Sequence, residues 1–421
     1  MTPLNRRKAL LALSSLLLTP QTIFAKTKAK IVIIGGGFGG ASAALALKLL
    51  MPKADIKLIE PNKTYYACPF SNFVISNVRD MQAQAFGYAG LKARNITVIH
   101  DYAKDIDPFK QTVSLQNNVT RLPYDRLILS PGIDMQWNAI KGYDIDAAQI
   151  FPHAWKAGLQ TLNLQKQLLA LEDGGVILMS VPRALYRCPP GPYERASLIA
   201  HYLQTQKPRS KLIILDAKDS FSKQALFEEA WAQNYQGIIE WRSASNDGIV
   251  QQIDIKSNTI STDFEDFSPG VANIIPPQKA AIIAMKAGVT DSTEWCPINA
   301  TSFESRLQQN IHIIGDAAIA NPMPKSAFSA NLQAKLCAIQ VARLLSGLTL
   351  QPTTLTNTCY SFVAPDKAVS ITGVYKNHDT SFTQLKGAGG TSPLNAKTDM
   401  RVKEAEEARI WFKAITQEAF G

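Results

Sequence analysis

The chain of 421 residues is 46% hydrophobic and 19% charged, enough apolar material for two or three cores, and its 24 glycines and 23 prolines are too few for a disordered protein. Its formal charge of +10 comes without a long Lys/Arg block or a nucleic-acid motif, so a solvated basic surface is the plain reading and nucleic acid is excluded as a partner. Five cysteines and five histidines are scattered without a CxxC pair or a cluster, which excludes a metal site of ordinary spacing.

Residues 1–25 combine Arg6 and Arg7, an apolar run from Ala9 to Leu18 and the small residue Ala25. This reads as a twin-arginine export signal removed after about Ala25, directing the chain to the periplasm. The run is too short to span the roughly 30 Å hydrocarbon core, and no later stretch reaches that length, so no stable membrane insertion is expected. Removing 1–25 lowers Lys+Arg from 44 to 41 against 34 acids, and the charge from +10 to +7. In an oxidising compartment the odd cysteine count leaves one thiol unpaired or bonded to something other than cysteine.

Next comes "KIVIIGGGFGGASAALALKLL", a β-branched strand, a GxGxxG turn with Gly35, Gly37 and Gly40, and a helix rich in Ala and Leu. The glycines allow close approach to a pyrophosphate, and the helix start offers it unpaired N–H groups. A second strand, "DIKLIEPN", ends in Glu60, an acidic residue suited to the ribose hydroxyls of an adenine nucleotide. Further strands end in Ser130-Pro131-Gly132 and in Gly315-Asp316, the latter expected to lead directly into an Ala-rich helix. Strands of this kind bring the chain back to the first domain in flavoproteins with two dinucleotide-binding domains, with the Asp on the flavin's ribityl and phosphate region, which points to FAD.

Between these segments "GGVILMSV", a helix over 194–204 and "KLIILDA" repeat the strand–crossover–strand pattern. Its first turn, "YRCPPGPYERA", offers no glycine triplet, and Pro182, Pro189, Pro190 and Pro192 have no N–H for a phosphate. The domain keeps the fold of an NAD site without the means to bind NAD. The expected organisation is therefore α/β, with two Rossmann-like dinucleotide-binding domains, the FAD domain discontinuous, and a smaller C-terminal α+β domain. Its parts are the signal over 1–25, FAD domain over 26–135 and 300–346, NAD-like domain over 136–299, and a C-terminal interface domain over 347–421.

In order along the chain, "YYACPFSN", "YRCPPGPYERA", "IIPPQKA", "EWCPIN", "IGDAAIANPMPKSAFSANLQAK" and "NTCYS" resemble the flavoprotein subunit of flavocytochrome c sulfide dehydrogenase, with sulfide:quinone oxidoreductases as relatives in fold. The resemblance covers nearly all of the chain after residue 25. It implies oxidation of sulfide, with electrons passed through FAD to a c-type cytochrome subunit. The chain has no CxxCH motif, so that haem belongs to another polypeptide.

The resemblance also assigns Cys68 to a covalent bond with the flavin, and Cys188 with Cys359 to a redox-active disulfide. The residues alone leave a buried thiol and a structural disulfide open. Glu194 matches a carboxylate beside the pair that can hold a proton, and is equally a first-turn glutamate favoured by the helix dipole. Lys325 is expected either near the flavin's pyrimidine edge or facing solvent. Cys337 and Cys296 read as structural, and Trp411 as a core aromatic or one near the flavin. The rival readings are a sulfide:quinone oxidoreductase and a flavin electron-transfer or assembly protein that does not turn over sulfide.

Overall fold

The computed structural model describes residues 28–378 and 380–421, so the segment expected to be an export signal, 1–25, lies outside the described residues. The first domain opens with strand β1 (Lys30–Ile34), helix α1 (Phe38–Leu50), β2 (Asp55–Ile59), β3 (Thr97–Ile99) and β4 (Arg126–Leu129). Ile31, Val32, Ile33, Leu58, Leu127 and Ile128 are buried, and these near-continuous apolar runs are what a parallel strand covered on both faces needs. After β4 the chain leaves through a short strand, 133–135.

The second domain repeats the pattern with β5 (Val176–Val181), α2 (Gly191–Gln206), β6 (Lys211–Asp216), α3 (Gln224–Asn234), β7 (Ile239–Arg242) and β8 (Val271–Ile274). Its sheet runs β7-β6-β5-β8, with every pair parallel. The chain returns through 278–280, which pairs antiparallel with the outgoing 133–135. Lys286 then donates to the carbonyl of Lys104 at 3.0 Å, so the segment after residue 280 already packs on the first domain, ahead of the expected boundary at 300.

β9 (Ile311–Ile313) completes the first sheet in the order β9-β4-β1-β2-β3, also all parallel. The Ala-rich helix expected directly after Gly315-Asp316 does not form there. A single tight turn over Gly315–Ala317 and a two-residue strand follow instead. Pro322 and Pro324 remove two N–H donors from that stretch. The helix α4 (Ala327–Leu345) begins only where Ser326 caps it, its Oγ accepting from Ser329 N at 3.0 Å. α4 lies on α1, with Asn331 Nδ2 donating to Ser42 Oγ at 2.8 Å across the contact.

The C-terminal region is an antiparallel hairpin of β10 (Thr354–Ala364) and β11 (Lys367–His378), extended by β12 (Ser381–Gln384) and covered by α5 (Thr398–Phe420). Phe412 of α5 lies 4.7 Å from Phe70, and Phe362 of β10 lies 4.6 Å from Phe73, so this region closes over the segment that holds Cys68. Hairpin and helix thus bring β10 against the two parallel domains.

Candidate active site

A cavity of about 720 Å³ is lined by the Gly35–Gly39 turn, the Cys68 segment, the turn holding Cys188, and Cys359 with its neighbours on β10. Its floor is the glycine turn. A Cβ on Gly35 would stand 2.2 Å from the carbonyl oxygen of Ser130, and one on Gly40 1.8 Å from that of Gly35, so no side chain fits either position. Gly35 also takes φ +97°, and Gly37 caps α1 without a side chain of its own. Glu60 secures the turn, its carboxylate accepting from Gly36 N at 2.9 Å and from Asn62 N at 2.9 Å.

Ser130, Gly132 and Gly315 border the same cavity, the two glycines at φ +71° and +73°. Asp316 reaches it with a buried Oδ1 that has no hydrogen-bond partner. A buried acceptor of this kind is costly unless something donates to it. Burial pushes the Asp316 acid up, while Arg187 and Lys325 pull it down. The bare glycine cradle and the waiting carboxylate fit a dinucleotide, with its phosphates at the start of α1 and a hydroxyl donor at Asp316.

Cys68, Cys188 and Cys359 line this one cavity, and all three are free thiols in the structure. Cys188 sits in the left-handed region at φ +56°, a conformation that costs a non-glycine residue on the order of 1–3 kcal/mol. It is held there by Cys188 N donating to Lys325 O at 2.9 Å and by its own carbonyl accepting from Gly191 N at 2.8 Å. Gly191 makes room for the thiol, since a Cβ there would stand 3.1 Å from Cys188 Sγ. Burial raises both the Cys188 and Cys359 acids, and each lies in the field of Glu194 and Lys223. Ionising Cys359 raises Cys188 further.

Glu194 stands in the first turn of α2, as its dipole-favoured reading requires, and also points its carboxylate at the site. It accepts from Asn72 Nδ2 at 2.9 Å and from Phe362 N at 3.0 Å, and burial raises its acid above the usual carboxylate range. Lys325 matches neither a solvent-facing nor a cavity-lining position. It is 8% exposed, and its ammonium donates to Asp316 O and Ala318 O, both at 2.8 Å, 4.0 Å from the Trp295 ring. Burial lowers it to about 8, and its role is to clamp the loop that carries Asp316. Cys296 and Cys337 are fully buried, as a structural reading requires, and Trp411 borders the cavity, stacked 6.1 Å from Phe328.

Sequence reasoning missed a set of buried and half-buried cations. Arg195 is 1% exposed and donates to Asn72 Oδ1, His153 O, Asn273 Oδ1 and Ala154 O, and burial lowers it to about 9. Arg187 spans Trp155 O and, at 3.8 Å, the Asp316 carboxylate. Burial works against its charge, but Cys68 and Asp316 leave the guanidinium raised overall. Arg195 and Asn72 were within quoted motifs, where only their contact across 123 residues reveals the role. Lys223 lies in the plain stretch "DSFSKQA", and nothing local marked it.

In the second domain Asp216 ends β6 where an NAD enzyme would present its ribose-binding acid. Here it is fully buried and accepts from Tyr193 Oη, Trp241 Nε1 and Lys218 Nζ. The Tyr193 ring stacks on Phe221 at 3.6 Å. The position is filled with aromatic side chains, which adds a second obstacle to NAD beyond the prolines of the turn.

Two Rossmann-like domains, a glycine cradle in the first and a cysteine turn in place of a phosphate loop in the second, define a flavoprotein of the two-dinucleotide-domain type. The comparisons with known proteins agree. Residues 161–276 match "Sulfide dehydrogenase (flavocytochrome c) flavoprotein chain, central", residues 351–420 "Flavocytochrome c sulphide dehydrogenase, flavin-binding", and residues 29–168 "Pyridine nucleotide-disulphide oxidoreductase". The sulfide dehydrogenase (flavocytochrome c) flavoprotein chain of Chlorobaculum thiosulfatiphilum is 49% identical over 45 residues, 11% of this chain and 94% of that sequence. Mouse mitochondrial sulfide:quinone oxidoreductase is 19% identical over 306 residues, which are 69% of this chain and 66% of that enzyme. The structure of the sulfide:quinone oxidoreductase from Aquifex aeolicus superposes with a TM-score of 0.74 at 17% identity, covering 93% of this chain and 92% of that one. The chain belongs to the flavocytochrome c sulfide dehydrogenase and sulfide:quinone oxidoreductase-like flavoproteins, and its cofactor is FAD.

Proposed function

We propose that this chain oxidises sulfide through a Cys188–Cys359 redox disulfide and delivers the electrons to a c-type cytochrome subunit in the periplasm. The observation that carries the reading is that Cys188, in a turn whose prolines offer no N–H to a phosphate, and Cys359 of β10 line one cavity with the glycine cradle. FAD, when bound, supplies a two-electron acceptor that can release its electrons one at a time. Gly35, Gly37, Gly40, Glu60, Ser130, Gly132, Gly315 and Asp316 would hold it, and Cys68, which borders the same cavity, would bond it covalently.

Sulfide, largely HS⁻ at neutral pH, attacks one sulfur of the pair. The Cys188–Cys359 bond breaks, a persulfide forms on the attacked sulfur, and the electron pair of the broken bond stays on the other as a thiolate. Glu194 holds a proton near both sulfurs, because its burial keeps the acid form to higher pH than a solvated carboxylate. A second HS⁻ takes the outer sulfur of the persulfide as HSS⁻, the first polysulfide, leaving both cysteines reduced, and re-forming the Cys188–Cys359 bond gives up two electrons for which FAD would be the acceptor. Export by Arg6 and Arg7 would put the reaction in the compartment where c-type cytochromes are found.

The likeness to the Aquifex and mouse quinone-linked enzymes favours a second acceptor, a quinone. No helix among the described residues is long and apolar enough to cross a membrane. Supplying purified holoenzyme with sulfide and either cytochrome c or a short-chain quinone separates the two. Rapid cytochrome reduction with slow quinone reduction is the expected outcome, and the reverse order would replace the acceptor. Acid denaturation with mapping of the flavin peptide tests the Cys68 bond, and flavin released to the supernatant would remove it.

A further inference from the structure

The loop between β6 and α3, which in an NAD enzyme would lie beside the adenosine, here brings Lys223 onto β10 at Cys359 and Ser361. Lys223 caps α3 with φ +63° and is 9% exposed. Its ammonium donates to Cys359 O at 2.9 Å and to Ser361 Oγ at 2.7 Å. Cys359 and Ser361 are two residues apart on β10 and so share a face of the strand. An ammonium has three N–H donors; these contacts use two, and the Phe227 ring of α3 lies 5.9 Å from the same nitrogen. A buried cation with neutral acceptors alone is costly, and the anions that could balance it are the Cys359 and Cys188 thiolates and the Glu194 carboxylate, with Glu404 of α5 behind them.

Resting on the reading of Cys188 and Cys359 as a redox pair, we propose that Lys223 is the positioning cation of that pair, stabilising the Cys359 sulfur as the thiolate released when HS⁻ attacks Cys188. Opening by HS⁻ leaves the electron pair of the broken bond on one cysteine, and at a half-buried sulfur that charge is favoured by a fixed cation beside it. Burial raises the Cys359 acid, and of the charges beside it Lys223 opposes that rise while Glu194 adds to it. Cys188 feels the same two, with Arg187 in addition. Arg195 on α2 acts on Glu194, and Tyr375 on β11 feels Cys359, so these are the titrating neighbours against which Lys223 acts. Lys223 touches no substrate in this role, and its effect passes through the sulfur.

The test is the pH dependence of iodoacetamide alkylation of Cys359, followed by peptide mapping on chemically reduced holoenzyme. Lys223→Gln keeps donors to Cys359 O and Ser361 Oγ and removes the charge. It is expected to raise the alkylation midpoint by about one pH unit, a tenfold loss of thiolate below that midpoint. Lys223→Arg restores the midpoint. An unchanged profile in Lys223→Gln would leave Lys223 a carbonyl tether and overturn the proposal. Should the Gln variant not fold, a folded Lys223→Arg whose midpoint rises by that unit overturns it alone, and one that keeps the wild-type midpoint supports it. Wild-type sulfide turnover in Cys188→Ser would sink the redox-pair reading separately, because the alkylation profile reads Lys223 whether or not turnover survives.

Discussion

The turn after β1 and the turn after β5 occupy equivalent places in two copies of one fold, and they have opposite chemistry. The first is six residues with five glycines, open to a phosphate, with Glu60 behind it. The second carries a strained cysteine, prolines at 189, 190 and 192, and a helix that starts at Gly191. A parallel sheet and its crossover helix fix where a ligand can sit, at the carboxyl ends of the strands. They do not fix which ligand sits there. In the second domain that position holds Cys188 and prolines instead of a glycine cradle, and the acid that ends β6 is a buried hydrogen-bond hub.

The contrast can be broken most sharply at its thiols. Cys188→Ser or Cys359→Ser is expected to slow reduction of the flavin by sulfide on the order of 10³-fold or more, with dithionite still reducing it, as followed by anaerobic stopped-flow absorbance. Retained sulfide reduction in either variant would mean that the turn after β5 is only structural. On the other side of the comparison, Gly40→Ala places a Cβ 1.8 Å from Gly35 O, so the purified variant should lose most of its flavin absorbance relative to protein. Full flavin content would show that the turn after β1 is not the cradle.

Smaller changes sharpen the comparison. Glu194 is held protonated above the usual carboxylate range by burial, so the rate of sulfide-dependent flavin reduction should show a limb in that region that Glu194→Gln removes. A limb that survives belongs to another group. Tyr193→Phe deletes a donor to the fully buried Asp216 and should cost about 1–3 kcal/mol in denaturant unfolding with sulfide kinetics unchanged. A kinetic loss there would give the old nucleotide position a part in turnover.

Much of this was legible in the sequence because local rules sufficed. The glycine turn announces itself between a β-branched strand and an Ala-rich helix, and the prolines of "YRCPPGPYERA" exclude a phosphate loop by their missing N–H groups alone. Where tertiary contacts decide, the residues gave no notice. Ala317–Ala320 has helical composition, but Pro322 and Pro324 postpone the helix to Ser326. Lys325 looks like a surface or flavin-facing lysine until two backbone carbonyls and Trp295 surround it. Lys223 meets Cys359 across 136 residues, a proximity that no spacing rule encodes. The early return of the chain near residue 280 is set by strand pairing with 133–135, which apolar patterning of two three-residue segments cannot announce.

The central claim is that thiols have replaced nicotinamide as the electron entry of the second domain. It is tested most directly by anaerobic titration of the flavin absorbance of the holoenzyme, once with sulfide and once with NADH. Bleaching by stoichiometric sulfide and none by excess NADH is the predicted result. Bleaching by NADH with no response to sulfide would contradict it, and would return the domain after β5 to nucleotide binding.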